Sequence, residues 1–190
     1  MRRARRALMP SRRVARVEDA SSAARARAAT LVDARWPRRG DGRGFTGARA
    51  ARERDGATRC ARFVLEVASD DDDDEGDEGW RCAGACVVED SCAVRGREGA
   101  RNGMMRSVVV DDAMRRRGHG AALVRRATAL ALAEWDVVTV WCEKGLVKFY
   151  ESCGYVYEPA KGRRYAEDDE AVLRATRDSV RDARGISTGG

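Results

Sequence analysis

The stretch that most constrains this chain runs from Ser107 to Glu134, where SVVV passes through DDAMRRRGHG into AALVRRATALALAE. The β-branched run is a strand signal, and the apolar residues from Ala121 to Glu134 recur at helical spacing. Between them Arg115, Gly118 and Gly120 spell R-x-x-G-x-G at the mouth of the helix. Glycine there permits a tight turn and lets a diphosphate approach backbone N–H groups, while the helix N-terminus adds partial positive charge. Arg115, Arg116 and Arg117 supplement that attraction. A dinucleotide fingerprint needs a third spaced glycine and a downstream acid, and a nucleotide-triphosphate loop needs GKS or GKT; neither is present. An ordinary strand-to-helix turn with surface arginines stays open on these residues alone.

The rest of the chain supplies partners for this unit. Val14 to Val17 reads as a short strand and Ala20 to Arg35 as a helix with Ala24, Ala28, Leu31 and Val32 on one face, stopped by Trp36-Pro37. Residues 38 to 57 read as a loop with one short helix. Arg59 to Ala68 and Trp80 to Glu89 alternate apolar and polar residues, the signature of an antiparallel hairpin. Between them SDDDDDEGDEG (69–79) reads as a disordered acidic insert rather than a calcium loop, because self-repulsion leaves it nothing to bury. Met104 to Val110, Val137 to Cys142 and Tyr155 to Tyr157 are further strands, and Leu146 to Ser152 a short helix. The order β, α, loop, β, β, β, α, β, α, β predicts one α/β domain with a mixed central sheet and helices on both faces. After Pro159 a strand around Ala171 to Ala175 and a helix through Ala183 both remain open. The expected division is a basic segment at 1–12, a domain at 13–175 and a tail at 176–190.

Composition narrows the function classes. The formal charge of +6 comes almost entirely from arginine, since Lys144, Lys148 and Lys161 are the only lysines. That skew fits codon bias better than phosphate selection. A nucleic-acid-binding module is the rival from another class, but the basic first forty residues hold Trp36 as their only aromatic, so stacking platforms are scarce. No nucleic-acid or membrane partner is expected, and a monomer is. The six cysteines form no CxxC pair and the only histidine, His119, lies far from them, so no metal is expected. Cysteines in apolar stretches fit a reducing, cytoplasmic home; the arginine-rich start is the alternative, a transit peptide to a plastid or mitochondrion.

Taken together, Arg115-x-x-Gly118-x-Gly120 after a strand and KFYESCGYV (Lys148 to Val156) after the next helix and strand resemble the GNAT superfamily of N-acetyltransferases. The resemblance covers residues 104 to 157. It implies acetyl-CoA as cosubstrate, held by the backbone of Val108, Val109 and Val110 on a strand that splays from its parallel neighbour. It further implies contacts from Arg115, Arg116, Arg117, Gly118, His119, Gly120 and Ala121. It makes Tyr150 the group that protonates the departing thiolate, against the plainer reading that it packs beside Phe149.

Family members that use a glutamate base place it on the strand before the turn, and MMRSVVV has none. Glu89 and Glu143 are the candidates, each acting through water, and each is also readable as a surface carboxylate. Cys142 as an acyl carrier has less to recommend it, because direct transfer is the family's habit. Three segments, LVDARWPRR, SVVVDDAMRRRGHG and FYESCGYVYEPAKG, resemble the branch that acetylates the processed acidic N-terminus of actin. That implies a protein N-terminus as acceptor, with Trp36, Arg38, Arg39 and Ser107 on the acceptor side. The chain departs from the branch at Lys144-Gly145, where a histidine-aspartate pair would stand, and at Arg106 in place of the strand glutamate. Lysine side chains or small-molecule amines are the alternative acceptors.

Overall fold

The structure is a computed structural model that describes residues 12–36, 59–68, 80–91, 100–157 and 170–182. Outside these lie the basic segment before residue 12, the loop at 38–57, the acidic insert, Cys92 and the end of the tail.

The helices form where small or apolar residues recur on one face. Helix α1 (Ser22–Arg35) buries Ala24, Ala28 and Val32, and its N-cap Ser21 accepts a hydrogen bond from the Ala24 amide at 3.1 Å. Helix α2 (His119–Ala131) buries Leu123, Val124, Ala127, Thr128 and Ala131. The strands are β1 (Arg12–Arg16), β2 (Cys60–Ala68), β3 (Trp80–Asp90), β4 (Asn102–Val110), β5 (Val137–Glu143), β6 (Val156–Tyr157) and β7 (Glu170–Ala175). They make one seven-stranded sheet in the order β1-β2-β3-β4-β5-β7-β6. All described pairings are antiparallel except β4 with β5.

Each face of the sheet has its own core. On one, α2 packs over Phe63, Leu65, Val88 and Met105, joined by Tyr150, Tyr155, Val138 and Leu173. On the other, α1 packs over Val64, Cys82, Ala85, Val87 and Val109. The mixed sheet with helices on both faces is as the element order requires. The alternation expected of β2 and β3 is not what sets their burial: both are buried almost throughout, because α1 and α2 cover opposite faces. Even Glu66, on β2, is fully buried, and it accepts from Arg13 Nε at 2.7 Å. The tail forms both open alternatives in succession, strand β7 and then helix α4 (Arg177–Asp182), whose Val180 joins the α2-side core. No described helix is long and apolar enough to cross a membrane.

Two close approaches position the centre of the sheet. A Cβ on Gly84 of β3 would lie 2.5 Å from the Val109 carbonyl oxygen of β4, so only glycine lets the strands meet there. One on Gly103 would meet Val88 and the buried Trp135 at 2.9–3.1 Å, and Trp135 Nε1 donates to Asp90 at 2.8 Å. Gly84→Ala should therefore push β3 and β4 apart and lower stability by about 1–3 kcal/mol, the usual cost of overpacking. A thermal melt checks this, with a fall in Tm as the expected result.

Candidate active site

Strands β4 and β5 pair in parallel only from Asn102 to Met105 against Val137 to Val140. Both continue further, β4 to Val110 and β5 to Glu143, without pairing each other. The cause lies in β4. Val87 faces Arg106 while Ala85 faces Val109, so two residues, Ser107 and Val108, stand opposite the single Cys86. Ser107 takes φ +53° in this bulge, a left-handed conformation that costs a non-glycine residue about 1–2 kcal/mol. Strain of this kind persists where the surroundings enforce it, and it clusters at functional sites. Beyond the bulge, the β4 edge facing β5 has no strand partner among the described residues.

The strand then runs into the glycine turn. Asp111 caps a short 3₁₀ turn at Asp112–Met114, accepting from the Ala113 amide at 3.1 Å. Arg116 takes φ +61°, and Gly118, the N-cap of α2, takes φ +77°. The first helical amide to bond back is that of Ala122, to the Gly118 carbonyl at 3.1 Å. The N–H groups that precede it lack intrahelical acceptors and concentrate positive potential at this end. Arg115 curls back, Nε donating to the Val110 carbonyl at 3.4 Å and Nη2 pairing with Asp112 at 2.6 Å. A Cβ on Gly120 would touch Phe149 at 3.6 Å and Val110 at 3.7 Å, so this position links the turn to the helix carrying Tyr150. His119 opens α2, and burial, with help from Arg12 and Arg117, holds its imidazole below its ordinary pKa.

Helix α3 (Val147–Ser152) places Tyr150 beside the gap, edge-to-face with Phe149 at 5.0 Å and with Tyr155 at 5.6 Å. Gly154, at φ +94°, reverses the chain so that the Tyr155 amide returns to the Tyr150 carbonyl at 3.1 Å. The Tyr155 hydroxyl is engaged by Thr128 at 2.8 Å. Tyr150 is buried, and that burial, reinforced by Cys142, Cys86 and Cys153, raises its phenol pKa well above the ordinary value. Packing and a chemical role are thus not alternatives for this residue: its ring belongs to the core and its phenol stays protonated. Burial likewise pushes the Cys82 and Cys142 thiols up to about 11. A thiol so protonated is a poor acyl carrier.

The other sequence candidates fall as follows. Glu89 is buried on β3, one oxygen accepting from Arg106 Nε at 2.8 Å, so it is not the surface carboxylate it could have been. Glu143 is exposed at the end of β5, directly across from Glu170 of β7. Trp36 follows the last turn of α1 and is 37% exposed, with the Arg35 guanidinium 5.9 Å from its ring centroid. Arg38 and Arg39 lie outside the described residues. Among the described residues no group of His, Cys, Asp or Glu is arranged to hold a metal ion.

Residues 67–157 match the family model described as acetyltransferase (GNAT) domain, a span holding the bulge, the glycine turn and Tyr150. No curated protein matches the sequence significantly. Among solved structures, a spermidine N-acetyltransferase from Vibrio cholerae, in complex with CoA and spermine, superposes with a TM-score of 0.58 at 13% identity. That match covers 90% of this chain and 98% of that one. FeeM, an N-acyl amino acid synthase from uncultured soil microbes, gives 0.55 at 13% identity over 95% and 97% of the two chains. A Bacillus subtilis acetyltransferase in complex with CoA gives 0.53 at 15% over 87% and 98%. These likenesses show the fold.

A signal that sequence reading missed is the tie between α1 and the turn: Arg27 Nη2 bonds Asp111 Oδ2 at 2.6 Å. That bond, then the Ala113 amide, hold the Asp111 carboxyl below its ordinary value near 3.8. A carboxyl lowered by folding stabilises fully above its unfolded pKa and loses that contribution as pH falls through the lowered value. Arg27→Ala should therefore be less stable than the wild type at pH 7, the difference closing as pH drops below about 3.8. Denaturant unfolding at a series of pH values measures it.

Proposed function

We propose that this acetyl-CoA-dependent N-acetyltransferase, with a domain of the GNAT type, acetylates the alpha-amino group of an acidic protein N-terminus such as that of actin, by direct transfer with donor and acceptor bound together. The observation that carries the reading is the parting of β4 from β5 above Met105, with the glycine turn at one end and Tyr150 beside it. The residues fit acetyl-CoA: an unpaired strand edge suits an amide-containing arm, and the free amides at the start of α2 suit a diphosphate.

Acetyl-CoA brings the activated thioester, and the protein's part is binding, orientation and proton handling. The backbone from Ser107 to Val110 aligns the arm. Arg115, Arg116 and Arg117, with the amides of Gly118 to Ala121, hold the phosphates. Tyr150 donates a hydrogen bond to the sulfur as negative charge develops, and its raised pKa keeps it a donor at any physiological pH. On the acceptor side, an alpha-amino group has a pKa of about 8 against about 10.4 for lysine, so it is partly neutral without a strong base. That agrees with a β4 that carries Arg106 where a glutamate base could stand. Glu143 is the better placed of the two carboxylates to relay a proton through water, since Glu89 is engaged by Arg106.

On the α1 face of the sheet Arg62 and Arg106 flank Val87 across three strands, Arg106 being paired with Glu89. Trp36, Arg38 and Arg39, at the end of α1, extend the proposed acceptor side. A second reading, a cationic amine, is favoured by Glu143 facing Glu170 and by the spermine-bound neighbour. A cytoplasmic location belongs to the same proposal, supported by the five free cysteines among the described residues.

Tyr150→Phe should lower kcat by about 10²–10⁴ while leaving acetyl-CoA affinity unchanged; equal turnover would remove Tyr150 from the chemistry. In a panel of acidic, neutral and basic N-terminal peptides with polyamines, acidic peptides should show the highest kcat/KM, with an advantage that shrinks as salt rises. Reaction confined to polyamines or lysine side chains would replace the acidic-terminus reading with the second one.

A further inference from the structure

Strand β1 lies at the far edge of the sheet from β5, outside the segment that carries the glycine pattern. Its arginines are not alike. Arg13 pairs with Glu66 and Arg16 with Glu134. Arg12 has no carboxylate partner among the described residues. In register it stands opposite Val67, and Val67 and Val14 belong to the core on the α2 face, so Arg12 shares that face. There it reaches the turn: a Cβ on Gly118 would sit 3.7 Å from Arg12 Nη1.

The carboxylates of this turn, Asp111 and Asp112, are paired with Arg27 and Arg115. Arg117 also has no carboxylate partner among the described residues. Both guanidiniums act on His119, whose Nδ1 is buried without a hydrogen-bond partner. Cations gathered at the positive end of a helix repel it and one another, and an anion among them turns each of those repulsions into attraction.

We infer that Arg12 is a further cofactor-binding residue, whose guanidinium reaches from β1 across Gly118 to the diphosphate of acetyl-CoA. The cation comes from a strand about a hundred residues upstream of the turn, so the diphosphate is gripped from two sides: by amides and arginines of the β4–α2 turn, and by Arg12 opposite them. The inference rests on acetyl-CoA as cosubstrate and is independent of the acceptor.

Calorimetry with CoA and 3′-dephospho-CoA, on the wild type, Arg12→Gln and Arg12→Lys, tests it. Arg12 is exposed at a strand end, so the variants should melt with the wild type when free of ligand. Arg12→Gln should bind both ligands about tenfold more weakly, the loss shrinking with salt, and Arg12→Lys should recover most of it. Wild-type affinity in Arg12→Gln would overturn the inference. So would an equal loss in Arg12→Lys, which would make charge irrelevant. A loss confined to CoA would move the contact to the 3′-phosphate and overturn the diphosphate assignment. If the wild type itself binds neither ligand, the cosubstrate reading fails and the inference with it.

Discussion

Backbone amides and carbonyls inside a sheet must find partners, and among the described residues β4 and β5 stop supplying them to each other above Met105. The two strands pair over four residues each and then separate. The separation accompanies a bulge in β4 itself: Ser107 and Val108 stand opposite Cys86 of β3, and Ser107 bears the strain. Gly84 lets β3 follow β4 closely past the bulge. An edge strand opened in the middle of a sheet would be a liability without a ligand to complete it.

The candidate residues follow the ends of β4 and β5. After β4 the glycine turn feeds α2, whose first amides lack acceptors, and Asp111 is tied to α1 through Arg27, so both covering helices hold the turn in place. After β5 comes α3, whose Tyr150 sits in the same core as Phe63 and Leu173, locked by Phe149 and Tyr155. A phenol so packed cannot wander, and burial keeps its proton on. A side chain at position 120 would meet Phe149, so the glycine turn and the tyrosine helix lie close together.

Much of this was legible because apolar periodicity is local. The runs read at Arg59–Ala68, Met104–Val110 and Val137–Cys142 fall within a residue or two of the observed ends, and the helix read at Ala121–Glu134 runs from His119 to Ala131. R-x-x-G-x-G left an ordinary turn open on its own, and it was the resemblance, joining it to F-Y-x-x-x-G-Y, that drew attention to the turn and the tyrosine helix. What escaped was non-local. SVVV reads as uninterrupted strand, and only its register against Ala85–Val87 reveals the bulge. Glu89 looked like a solvent carboxylate because Arg106, which buries it, comes 17 positions later on another strand. The alternation in β2 misled because alternation presumes one wet face, and here helices cover both.

The account turns on whether an extended ligand completes the open edge of β4. Amide hydrogen exchange on the free chain and on the chain saturated with acetyl-CoA tests that directly. The expected result is slower exchange at Ser107–Val110 and at Arg116–Ala121, with β2 unchanged. Unchanged exchange in both segments, in a chain whose core amides stay protected, would contradict it.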